Sequence, residues 1–255
     1  MGRAALNLRT VLTRISTTIF AAAALSWAIA VAPNFWSEAA IAQAAKQIIA
    51  GETYNPAILN RLDAALQSGE VLRPAILSKA AIIRLRRSED VIASGDVQAI
   101  NANLTDLGRY IDDALANTPA DSFLWLARFW LENGRNGVNA KDLSDLKMSY
   151  ALGRNEGWIA IKRSRVVMAV YPKLPPDLAE ASVSEFVGLV RSGLYIDAAD
   201  ILTGPGWPIR DRLMARLGGV SESNRLAFAK LLYDRNVDSV SVPGIDPRPQ
   251  RPWQH

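Results

Sequence analysis

The side chains best suited to bind something cluster between Trp125 and Arg165. Trp125, Arg128 and Trp130 share one apolar run, and Arg154, Trp158, Lys162, Arg163 and Arg165 follow it. Indole rings offer an apolar face with a donor edge, while guanidinium and ammonium groups hold anions. The mixture suits a sugar ring, an anionic glycan, a lipid headgroup or an acidic partner. Trp125 and Trp130 are five apart, so on a helix they point to different faces. They form either an aromatic platform or the filling between stacked helices. Lys162, Arg163 and Arg165 follow Trp158, with Arg154 and Arg191 as further basic neighbours. They make either a basic groove or the wet face of a helix that buries Val166, Val167 and Val170. Arg128 lies inside the most apolar run, with Arg135 after it; an unpaired charge there is costly, so a carboxylate such as Asp121 is expected beside Arg128.

Much other chemistry is excluded by what the chain lacks. Cysteine is absent and the single histidine is His255. A thiol nucleophile, a thiolate metal cage and a disulfide framework are therefore impossible, and a Ser–His–Asp triad would rest on a terminal residue. The acid pairs Glu89-Asp90 and Asp112-Asp113 diverge by about 100° on a helix and cannot easily flank one glycosidic bond. Ser221-Glu222 lacks the surroundings of a transglycosylase core, and Gly204-Pro205-Gly206 lacks the Lys-Ser/Thr of a phosphate loop. Neither a catalytic residue nor a cofactor or metal ligand set is expected.

The net charge of +4 is a matter of placement. Arg3, Arg9 and Arg14 precede the first apolar run, and no acid occurs before Glu38. Without those three, the basic residues exceed the 25 acidic ones by a single charge, which argues against nucleic acid as a partner. Ile15 to Ala32 contains no charged residue and spans roughly 27 Å as a helix, close to the hydrocarbon thickness of a bilayer. Ile15, Ile19, Phe20, Leu25, Trp27, Ile29 and Val31 are its lipid-facing candidates, with Trp36 as an interfacial anchor. The arginines predict a single pass with the N-terminus cytoplasmic and the remainder periplasmic, at a bacterial inner membrane. Ala30-Val31-Ala32 and Ala40-Ile41-Ala42 leave open the alternative of a cleaved signal and a free periplasmic domain.

Downstream, apolar residues recur at helical spacing. Ile41, Ala45, Ile48 and Ile49 form one stripe. Asn55-Pro56 opens a helix burying Ile58, Leu62, Ala65 and Leu66, closed by Ser68-Gly69, and Pro74 opens the next, with Ile76, Ala80 and Ile83 on one face. Ile100, Leu104, Leu107, Ile111 and Leu115 make the clearest stripe. Phe123 to Leu131, apolar almost all round, is expected to be the central element, broken by Gly134 and Gly137. Helices are expected over Lys141–Leu152 and Trp158–Tyr171. A stripe from Val183 through Leu194 follows, then a turn at Gly204–Pro208, a short helix ending at Gly218-Gly219, and a last helix from Ser221 to Asp234. The division expected is a basic segment at 1–14, a transmembrane anchor at 15–36, a helical domain at 37–240 and a proline-rich irregular tail at 241–255. The fold class is all-α: an N-terminal transmembrane helix followed by antiparallel hairpins stacked as a TPR-like α-solenoid.

Ser122–Trp130, SFLWLARFW, followed by Ala151–Ser164, ALGRNEGWIAIKRS, resembles the membrane-anchored, TPR-like helical proteins encoded beside exopolysaccharide and O-antigen assembly machinery in proteobacteria. The resemblance implies a non-enzymatic scaffold that binds an envelope or polysaccharide-assembly protein, and it transfers no catalytic residue. The alternative is an exported glycan-binding module or a glycan-active enzyme using carboxylates.

Overall fold

The computed structural model describes residues 2–52, 54–67 and 73–246; the side chains of 2–12, 33–37 and 67 lie outside the described part. Ser68-Gly69, the indole of Trp36, the side chains of Arg3 and Arg9, and the tail from 247 onward therefore lie outside it too. Among the described residues all regular structure is helical. The chain divides into two compact units, Met1–Asp90 and Val91–His255.

The first unit begins with α1, Gly2–Ile49, one unbroken helix through both the apolar run and the following amphipathic stretch. Thr13–Ala32 is long and apolar enough to cross a membrane or to serve as a signal sequence, and none of it is buried. Ile15, Ile19, Phe20, Leu25, Trp27 and Ile29 are exposed, Phe20 by 77%, and Val31 is half-buried. Further along the same helix, Ile41, Ala44 and Ala45 are buried. Glu38 is buried as well and accepts from the guanidinium of Arg73, which holds its carboxyl below the usual range.

Helix α2, Pro56–Gln67, starts where expected but turns a partly different face inward. Leu59, Asp63 and Leu66 are buried, whereas Ile58 and Ala65 are exposed and Leu62 is half-buried. The cause is Asp63. Arg84 and Arg87 on α3, Pro74–Ser94, both reach it, so the acid turns inward and takes its helix face with it. On α3 itself Ile76, Ala80 and Ile83 are buried as expected.

In the second unit α4, Val97–Asn117, starts where Asp96 accepts from the amides of Gln98 and Ala99. It buries Leu107, Ile111 and Leu115. Asp121 opens α5, Ser122–Asn136, by accepting from the amides of Phe123 and Leu124. Gly137, with φ of 70°, ends α5, while Gly134 lies within it and breaks nothing. Asn139 caps α6, Ala140–Leu152. Helix α7 spans Gly157–Ala169 and α8 spans Pro176–Arg191. Gly193, at φ of 78°, turns the chain into α9, Tyr195–Thr203, so the expected stripe runs along α8 from Val183 only to Val190, and Leu194 caps α9 instead. Helix α10, Arg210–Arg216, and α11, Glu222–Asp234, complete the order, with Ser221 capping the last.

Sequential helices pack in pairs, α4 on α5, α5 on α6, α7 on α8 and α8 on α9. Contacts also skip one helix, joining α5 to α7, α7 to α9, α9 to α11, and α8 to α10. The apolar core from Ala160 to Val242 centres on Phe186 and Phe228, whose rings meet edge to face at 6.2 Å. Helix α8 buries eight side chains, five of them in that core, whereas α5, expected to be central, buries seven side chains and contributes none to it. After α11 the chain is irregular yet still docked: Val242 is buried, Ile245 packs on the core and the Pro243 carbonyl accepts from Arg225.

Candidate functional site

An open groove of about 930 Å³ runs between α6 and α8 over the floor made by α7. Along α8 its wall is formed by Asp177, Leu178, Ala181, Ser184, Glu185, Gly188, Leu189 and Ser192, which is one helical stripe at i, i+1, i+4, i+7, i+8, i+11, i+12 and i+15. Fifteen residues of rise give the stripe a length of about 22 Å. The wall residues Ala181, Ser184 and Gly188 are small, and a Cβ at Gly188 would meet nothing within 4 Å, so the space there is open.

Arg163 holds the floor. Its side chain is fully buried, and every guanidinium N–H has an acceptor. Nε donates to Glu185 at 3.0 Å, Nη1 to the carbonyl and hydroxyl of Ser149 at 2.8 and 3.0 Å, and Nη2 to the Gly153 carbonyl at 3.1 Å and to Glu185. The guanidinium also lies 4.2 Å from the centre of the Tyr150 ring. A buried charge survives only with such complete pairing. Burial pushes the Glu185 carboxyl above its usual range, and Arg163 and Ser164 pull it back. Burial likewise drives the Tyr150 phenol well above its ordinary value, with the charge of Glu185 adding to the effect. The Tyr150 hydroxyl is buried beside Glu185 and Arg163 but makes no well-formed hydrogen bond among the described residues.

At the rim, Lys147 on α6 pairs with Asp177 on α8 at 2.9 Å, which bridges the two walls and lowers the Asp177 carboxyl. Arg154 and Arg191 also line the groove, are exposed, and have no ion pair among the described residues. The groove thus holds four cations against two acids, and both acids are engaged. The excess is positive and lies with Arg154 and Arg191.

Of the sequence candidates, Arg154 and Arg163 meet at this groove with Arg191, but in different roles. Arg163 differs from both expectations for it, being neither a solvated cation nor a free anion ligand; it is a buried cross-tie. Trp158 stands away from the lining and packs on Phe123, ring centres 5.1 Å apart. Lys162 is exposed outside the groove, and Arg165 pairs with Asp197 and Asp200 at 3.5 and 3.6 Å. Trp125 and Trp130 are each half-buried and do not line the groove. Trp125 donates its indole N–H to the Pro119 carbonyl at 2.7 Å and carries Arg128 over its ring at 4.5 Å. Arg128 does meet a carboxylate, but it is Asp145, in a two-bond fork at 2.7 and 2.8 Å, with Asp112 at 3.4 Å. Asp121 is occupied as a helix cap instead.

No family model, curated protein or solved structure matches this chain. What the arrangement can do has to be taken from its geometry. Glu185 and Asp177 share the groove wall eight residues apart, a rise of about 12 Å, beyond the roughly 5–9.5 Å that separates paired glycosidase carboxylates. Arg163 also occupies both oxygens of Glu185. Among the described residues no group of His, Cys, Asp or Glu side chains could hold a metal ion. The excess of positive charge along the lining suits an anionic group. Glu185, Tyr150 and Lys147 did not stand out in the sequence. A signal for the first was present, since Leu178, Ser182, Glu185 and Leu189 form one helical stripe with a single acid in it, as Ile159, Arg163 and Val167 form one with a single cation.

Proposed function

We propose that this chain is a non-enzymatic helical scaffold, held at a bacterial inner membrane by α1, whose body lies in the periplasm and grips a partner protein of surface-polysaccharide assembly or export. The observation that carries the reading is the presence on one chain of an exposed apolar span, Thr13–Ala32, and an open groove whose two rim arginines have no acidic partner among the described residues. Arg3, Arg9 and Arg14 ahead of the span support a cytoplasmic N-terminus. Retention is favoured over cleavage because the apolar run from Ile15 to Ala32 exceeds the roughly 7–15 residues of a signal h-region and Pro33 directly follows Ala30-Val31-Ala32. The packing of α5, α7, α9 and α11 in succession, with α8 on α10, supports stacking of hairpins into a TPR-like solenoid. The polysaccharide setting is supported by the likeness of Ser122–Trp130 and Ala151–Ser164 to the accessory proteins of such systems.

Photo-crosslinking in intact cells tests this. A crosslinker placed at Ser184 in the groove is expected to yield a discrete adduct with a membrane protein of polysaccharide assembly, and one at exposed Lys230 on α11 is not. Adducts with soluble cytoplasmic proteins alone would refute the reading.

A further inference from the structure

We infer that the α6–α8 groove takes an elongated acidic segment of the partner protein, with Arg154 and Arg191 holding its carboxylates and the Tyr150 hydroxyl bonding its backbone. The inference rests on the scaffold reading and names the chemistry of its ligand. Three independent features support it. The wall of α8 offers a stripe about 22 Å long, which matches six or seven residues of extended chain at about 3.3 Å each and far exceeds a lone ion. The rim has two arginines with no ion pair among the described residues, whereas both groove acids are tied to Lys147 and Arg163. Tyr150, a lining residue, has a buried hydroxyl that lies beside Glu185 and Arg163 without a well-formed hydrogen bond among the described residues, a state that a ligand carbonyl or amide would relieve.

An acidic glycan would answer the charge equally well but not the shape. Sugar rings pack their C–H faces on exposed aromatic rings, and the single aromatic of the groove, Tyr150, has a face covered by Arg163 at 4.2 Å. The small wall residues Ala181, Ser184 and Gly188 suit close approach of a peptide backbone.

The test uses the full chain in detergent micelles and a set of fluorescein-labelled octapeptides bearing two Asp or Glu residues at varied spacing. Asn and Gln versions, oligogalacturonate of matched charge and inorganic phosphate are the comparison ligands. The acidic peptides are expected to bind, to weaken with salt, and to outcompete oligogalacturonate and phosphate. Combining Arg154→Gln with Arg191→Gln should weaken binding about tenfold or more, since each removes a charge-assisted contact. Tyr150→Phe should weaken it about threefold to tenfold. Gly188→Phe fills open space and should block binding while circular dichroism stays unchanged. Absence of peptide binding, equal competition by oligogalacturonate or phosphate, or binding indifferent to Gly188→Phe would each overturn the assignment. If the Ser184 adduct persists in that event, the scaffold survives and only its ligand chemistry is lost.

Discussion

At the residue scale, the second unit depends on one buried cation. Arg163 ties α7 to α8 through Glu185 and to the end of α6 through Ser149 and Gly153, so a single side chain fixes the floor of the groove. Arg163 is fully buried and Glu185 largely so, and removing either leaves the other charged and unsatisfied. Arg163→Met or Glu185→Leu alone should each lower stability by about 3–5 kcal/mol. The double replacement should recover most of that loss, because an apolar pair of similar volume avoids the desolvation of both charges. Chemical denaturation of the four proteins measures the coupling, and additive losses would show that the pair contributes nothing jointly. Part of this was legible. The expected carboxylate for Arg128 exists, but sequence distance favoured Asp121, which local capping had already claimed, over Asp145 on the neighbouring helix. Arg163 read as one of three clustered cations because nothing in its own segment reveals the acid that faces it from α8.

At the element scale, capping residues and apolar spacing located most helices, and the failures have identifiable causes. Helix α2 turns a partly different face inward because Asp63 answers two arginines on α3, a tertiary demand that local periodicity cannot register. The separation of α8 from α9 at Ser192-Gly193 is hidden in the sequence because Leu194 extends the apolar pattern across a left-handed glycine. Two glycines mark opposite conditions around the groove. A Cβ at Gly153 would lie 2.4 Å from the Ser122 hydroxyl and 2.7 Å from its Cβ, so α6 ends against the start of α5 only because no side chain intervenes. Gly188 sits in open space on a helix. Gly153→Ala should therefore destabilise by about 1–3 kcal/mol, whereas Gly188→Ala should stabilise by about 0.5–1 kcal/mol. Thermal unfolding monitored at 222 nm would separate them, and a shift of equal sign in both would contradict the packing described.

At the scale of the whole molecule, the apolar span was the plainest feature of the sequence, because hydrophobic length and charge asymmetry need no tertiary partner to be read. The groove was the least legible, since it arises where α6 and α8 face each other over α7 and its residues are spread from Lys147 to Leu194. In the proposed function the span holds the chain at the bilayer and the body presents its groove outside the cytoplasm. Protease treatment of intact spheroplasts tests that union most directly. The account predicts that added protease digests the body and leaves a short membrane-embedded N-terminal fragment containing Thr13–Ala32. A full-length chain protected until the spheroplasts are lysed, or one released as a soluble protein, would contradict it.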